Sequence, residues 1–281
     1  MTEREDRPRE VSVIELGESI EAVTLDFGNT LVPFPSASMG GVLSETAARA
    51  AARWGFAEEE FIRVWGEERL RQFEQDVPEG READMDVRAA RVLARLRGCA
   101  APRPQDRWDV AEAARWSGAD EVGVVLNDYA AAFVRLTPVP QEIGPLLATL
   151  AARYPVAILS NWPLALAVER YLDAAGWSEH LSAVVISQRV GVIKPRPEIF
   201  WAAAAMLGVP SGPRVLHAGD DLGADVAGAQ GVGWRAAWVR VKPEDSPLPV
   251  AASSGGERPD FVVDHVTDLP KTLGLRPARR S

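Results

Sequence analysis

Ala22-Val23-Thr24-Leu25-Asp26-Phe27-Gly28-Asn29-Thr30-Leu31 is the stretch on which the fold turns. Its apolar run ends on one carboxylate, and a turn follows at once. A strand buried in a parallel sheet spends its side chains on the core and delivers a polar group at its carboxyl end, where open α/β sheets collect ligands. An aspartate in such a place also starts turns and caps helices, so Asp26 alone decides little.

Downstream, Val156-Ala157-Ile158-Leu159 runs into Ser160-Asn161, and Val190-Gly191-Val192-Ile193 precedes Lys194-Pro195. Arg214-Val215-Leu216-His217-Ala218 opens onto Gly219-Asp220-Asp221-Leu222-Gly223-Ala224-Asp225. Each polar group stands just past an apolar stretch, so one rim of a parallel sheet would gather them all. Singly, each has a plain alternative. Ser160-Asn161 reads as a turn, Lys194 as a surface lysine, and the three acids as the first turn of a helix.

In order and spacing the set resembles the haloacid dehalogenase superfamily, mostly aspartate-nucleophile phosphohydrolases. The likeness runs from about Val23 to the strand Pro259-Asp260-Phe261-Val262-Val263. It implies an α/β fold: a Rossmann-like, doubly wound parallel sheet core with an inserted all-helical cap. It casts Asp26 as the nucleophile that forms an aspartyl-phosphate, with Lys194 offsetting charge on nucleophile and phosphate. Asn29, Thr30, Ser160, Asn161 and Trp162 would contact substrate. Mg²⁺ would take the Asp26 carboxylate, the Gly28 carbonyl and a carboxylate from Asp220 or Asp221, with Asp225 orienting the site. Trp162 either walls the pocket or simply packs.

Gly28 departs from the family pattern. Most phosphatases of the superfamily carry a second aspartate at this position, as general acid and base. Its absence removes a contribution of about 10²–10⁴-fold in rate and penalises poor leaving groups most. Asp84 or Asp86 could substitute from the cap. Members that break carbon–halogen bonds are metal-independent and less acidic in the fourth motif. Those that break carbon–phosphorus bonds need a cap lysine, and residues 34–138 contain none: the lysines are Lys194, Lys242 and Lys271.

The rest of the chain fits one inserted module in a larger core, with a core expected at 1–33 and 139–281 and the helical cap at 34–138. Residues 1–10 are charged, and 11–16 would add an edge strand. Helices are expected over 44–53, 56–73 and 85–96, then two shorter ones before and after Gly118. Strands and helices then alternate, as βαβ crossovers require. The Pro-, Ser- and Gly-rich stretch 242–259 reads as a surface loop and 276–281 as a basic tail.

Cys99 is the only cysteine, which excludes an internal disulfide and favours a reducing compartment, so a cytoplasmic location is expected. There is no signal-peptide core and no spanning segment. A formal charge of −9 disfavours nucleic acid. The expected partner is a small phosphorylated molecule, handled by a monomer or homodimer without membrane. The leading expectation is a Mg²⁺-dependent phosphatase. The alternatives are a non-catalytic protein that binds a phosphorylated ligand or a partner, and a haloacid dehalogenase. His217 reads as a packing residue.

Overall fold

The computed structural model describes residues 19–103 and 105–275. The segments 1–10, 11–16 and 276–281, for which a charged terminus, an edge strand and a basic tail are expected, lie outside the described residues. The strands are β1 (Ala22–Leu25), β2 (Val156–Ser160), β3 (Ala183–Ile186), β4 (Val215–Gly219), β5 (Arg235–Val239) and β6 (Phe261–Val263). They form one parallel sheet in the order β3-β2-β1-β4-β5-β6.

Both faces are covered, which is why the central strands read as mostly apolar runs. Val23, Leu25, Val156 and Ile158 pack with the helices Ile143–Ala151 and Ala165–Ala174. Ala22, Leu159, Val185 and Val215 pack with Pro197–Leu207 and with Val226. The chain winds outward through β2 and β3, then returns to β4 beside β1. That reversal puts the topological switch point between β1 and β4, the crevice where such sheets bind ligands. Thr24 faces His217 and Leu25 faces Ala218 in register, and the Asp26 N–H donates to the Ala218 carbonyl at 2.9 Å. Asp26 and Asp220 therefore emerge side by side.

Between β1 and β2 come α1 (Ser36–Trp54), α2 (Glu58–Gln75), α3 (Met85–Leu96), α4 (Val110–Ala114) and α5 (Ala119–Leu136), with no strand among the described residues. Helix α5 packs on Ala165–Ala174 and so seats the insertion on the core. The expectation of two shorter helices around Gly118 holds only for α4. An apolar stripe of Val125, Leu126, Tyr129, Ala130 and Phe133, all buried, carries α5 through 18 residues despite Gly123. No described helix is long and apolar enough to cross a membrane.

After β4 the chain turns at once into helix. Leu222–Ala227 forms a wide π turn, followed by Gly228–Gly231. Such turns often mark functional sites. The stretch 242–259 has no regular structure but is more than a surface loop. Ser246 meets Asn29, the Ser36 N–H donates to Asp245 at 3.2 Å, and Leu248 packs against the main core.

Candidate active site

Asp26, at the end of β1, is 7 % exposed. Lys194, fully buried, reaches it from the turn after residue 193. Its Nζ donates to Asp26 Oδ1 at 2.8 Å, to Asp225 Oδ1 at 2.6 Å and to the Leu159 carbonyl at 2.8 Å. Those three bonds use all the ammonium donors. Burial opposes the charge on Lys194, but Asp225 and Asp26 prevail and hold its pKa well above the ordinary lysine value. The ammonium is therefore fixed as a cation and is no source of protons at neutral pH.

Asp225 is the anchor of this network. Its Oδ1 also accepts from His217 Nε2 at 3.0 Å, and its Oδ2 from the Asp221 N–H at 2.9 Å. Burial would raise its pKa, yet Lys194 and His217 hold it far below the ordinary carboxylate range. Burial lowers His217, so the ring is neutral at pH 7 and carries one proton. A carboxylate can only accept, so that proton is on Nε2, and Nδ1 accepts from the Thr24 hydroxyl at 2.9 Å. The strand residues Thr24 and His217 thus brace Asp225, Asp225 braces Lys194, and Lys194 faces Asp26. Gly219 makes room for this: a Cβ there would lie 2.2 Å from Asp225 Cγ.

Asn161 is spent on the same lysine. Its Oδ1 accepts from the Lys194 N–H at 2.7 Å and its Nδ2 donates to the Lys194 carbonyl at 3.1 Å. Ser160 is buried, lines the chamber and makes no side-chain hydrogen bond among the described residues, so its hydroxyl is free for a ligand. Trp162 walls the chamber and also packs, 5.0 Å from Phe34 and edge-on to Phe27. Asn29, at φ 58, turns its amide to Ser246 and accepts from the Phe34 N–H. The Thr30 hydroxyl donates to Asp220 Oδ1 at 3.3 Å.

The two motif-four acids separate cleanly. Asp221 accepts from the Gly223, Ala224 and Ala251 N–H groups, which leaves little free for a ligand. Asp220 turns into the chamber. Its pKa is pushed up to about 7 by burial and by the charges of Asp26 and Asp225, with Lys242 opposing from 3.0 Å. Asp26, Asp220 and Asp225 bring carboxylate oxygens within 4.8 Å of one another. This hard-oxygen set fits a divalent cation such as Mg²⁺. Burial raises Asp26 too, against the pull of Lys194, as expected where negative charge is concentrated.

Around these groups is a cavity of about 140 Å³, also lined by Gly28, Leu248 and Lys242. A Cβ on Gly28 would come 2.7 Å from Leu248 Cδ1 and 3.1 Å from Trp162. The place an acid at this position would take is thus filled by the 242–259 loop. Asp84 and Asp86 do not line the chamber; both accept from Gln188 Nε2, and Asp84 caps α3. Sequence reasoning missed Lys242, which the 242–259 loop brings to the chamber and which no motif in the sequence marks. It also missed the bracing role of His217.

A model of the haloacid dehalogenase-like hydrolase family matches residues 20–233. The pyrimidine 5'-nucleotidase YjjG of Escherichia coli (strain K12) is 31% identical over 137 residues, 49% of this chain and 57% of that protein. The 5-amino-6-(5-phospho-D-ribitylamino)uracil phosphatase YigB of the same organism is 33% identical over 110 residues, 39% of this chain and 42% of that protein. The matches thus span about half the length of these relatives. A solved 2-haloacid dehalogenase from Pseudomonas syringae pv. Tomato DC3000 superposes with TM-score 0.63 at 21% identity, covering 91% of this chain and 98% of that one. At that identity the likeness is one of fold.

Proposed function

Because the chain belongs to the haloacid dehalogenase-like hydrolases, we propose that it is a Mg²⁺-dependent phosphatase of a small phosphorylated metabolite, with Asp26 as nucleophile. Residues 34–138 act as its cap. One observation carries this reading: Asp26 faces a fixed Lys194 cation while two further carboxylates converge on it. Halide displacement has no use for three clustered carboxylates. Phosphate, which must approach an anionic nucleophile, needs the cation such a cluster would hold. The two relatives named for acting on phosphate esters point the same way.

In this mechanism an Asp26 oxygen attacks phosphorus as the bond to the leaving oxygen breaks. Water then cleaves the aspartyl-phosphate, regenerating the carboxylate and releasing inorganic phosphate. Lys194 holds the Asp26 carboxylate in place, and the free Ser160 hydroxyl donates to a phosphoryl oxygen. Asp26 and Asp220, with the Gly28 carbonyl, would hold Mg²⁺, which neutralises phosphate charge when bound. Asp225, spent on Lys194, His217 and the Asp221 N–H, would orient the site. With Gly28 at the acid's position and Lys194 unable to give up a proton, the leaving oxygen departs without protein assistance. Aryl and acyl phosphates are therefore turned over faster than alkyl phosphates, by about 10²-fold or more. Steady-state kinetics on a matched alkyl and aryl pair test this; equal rates would contradict it.

A further inference from the structure

Beside the reaction chamber lies a second cavity of about 380 Å³, between the helical insertion and the strand ends. The two share Val77, Asn161, Trp162, Ile193, Leu248 and Pro249 as a common wall. A phosphoryl group held at Asp26 would turn its ester oxygen toward this wall and its leaving group into the second cavity. The lining there is largely apolar, with Met39, Leu43, Trp65, Phe73, Met85 and Tyr129. A cavity of roughly 150 Å³ already accepts benzene, so the space suits a bicyclic group or a ring with a short chain.

One side chain is foreign to such a lining. Arg88, on α3, is 2 % exposed and borders the cavity. Its Nε donates to Gln72 Oε1 at 2.8 Å and its Nη2 to the Ala83 carbonyl at 2.9 Å, while Trp65 lies 5.6 Å from the guanidinium. A guanidinium has five donors, so most of its capacity is unused. No carboxylate among the described residues comes within 4.0 Å of it. Glu82, on the same wall, is taken up by the Ser187 hydroxyl and the Ala83 N–H. At the mouth, Arg69 lies over Phe73, donates to the Pro247 carbonyl and is likewise without a carboxylate partner among the described residues. A buried cation left unpaired is costly, and proteins normally pair it. Glu82 and Asp84 act on Arg88 only from beyond contact distance, so a direct ion pair is left to a ligand.

We propose that this cavity binds the leaving group of the substrate, an aromatic alcohol bearing a carboxylate that pairs with Arg88. The catalytic half of this rests on the phosphatase reading; the binding half does not. A second observation agrees with it. An aryloxide departs without a general acid, which is the kind of leaving group Gly28 demands.

The test has a binding arm and a kinetic arm. Isothermal titration compares naphthoate with naphthamide, its neutral counterpart, on the wild-type protein and on Arg88→Gln. Naphthoate should bind wild type tighter by about tenfold or more, the scale of one charged hydrogen bond. Arg88→Gln should erase that difference. The ligand pair needs no variant, so a failure of Arg88→Gln to fold leaves the comparison intact. In the kinetic arm, a carboxylated naphthyl phosphate should exceed plain naphthyl phosphate in kcat/KM, through KM. Arg88-dependent naphthoate binding without turnover of any phosphate ester would uphold the cavity assignment and sink the phosphatase reading. Turnover of both esters at equal kcat/KM, with naphthoate binding no tighter than the amide, would overturn the cavity assignment alone.

Discussion

Lys194 must arrive at Asp26 with its ammonium already aimed, and Asn161 fixes the backbone from which it does so. The amide of Asn161 bonds both peptide groups of Lys194, at 2.7 and 3.1 Å. Asn161→Ala frees that backbone while leaving the ammonium present. A misplacement of about 1 Å can cost on the order of 10²-fold, so kcat should fall about 10- to 100-fold with a smaller change in KM. Steady-state kinetics beside a thermal melt check this; an unchanged kcat would show that the clamp is structural only. The convergence of Asp26, Ser160 and Lys194 on one chamber was legible because each follows an apolar strand or run. The bracing of Asp225 by His217 was not, because it depends on the π turn after β4 folding Asp225 back against that strand.

At the scale of elements, the strands β1, β2 and β4 were legible as short, mostly apolar runs, buried on both faces. The 242–259 loop was legible only as lacking regular structure. Its composition says nothing of where it folds, and Leu248 ends against Gly28. Helix α3 misleads in another way. Its arginines look like a solvent face, yet Arg88 and Arg91 are buried. The Leu248 contact has a consequence for any attempt to restore the missing acid. Gly28→Asp must displace Leu248 and should destabilise by about 1–3 kcal/mol, the usual cost of overpacking. Adding Leu248→Ala should recover part of that loss and give the new carboxyl room. Denaturant melts of the single and double variants measure it; a single variant as stable as wild type would mean the loop yields freely.

For the whole molecule, the acid cluster ties stability to pH and to divalent cation. Asp220 has a pKa of about 7 when folded, against an ordinary 3.8. Between those values the folded chain binds the extra proton, so stability falls as pH rises through that window. Asp225 acts in the opposite sense, held below 3.8, and its contribution is lost as pH falls beneath that value. Without divalent cation the melting temperature should therefore drop from about pH 5 to about pH 8. Mg²⁺ should raise it more at the higher pH, where Asp220 is free to ligate. A melting temperature indifferent to Mg²⁺ at the higher pH would count against the metal site. The central claim is tested most directly by phosphate release from p-nitrophenyl phosphate, with Mg²⁺ and with chelator, on the wild type and on Asp26→Asn. The predicted result is metal-dependent release that falls by about 10³-fold or more in the variant. Release that survives either the chelator or the substitution, or no release from wild type, would contradict it.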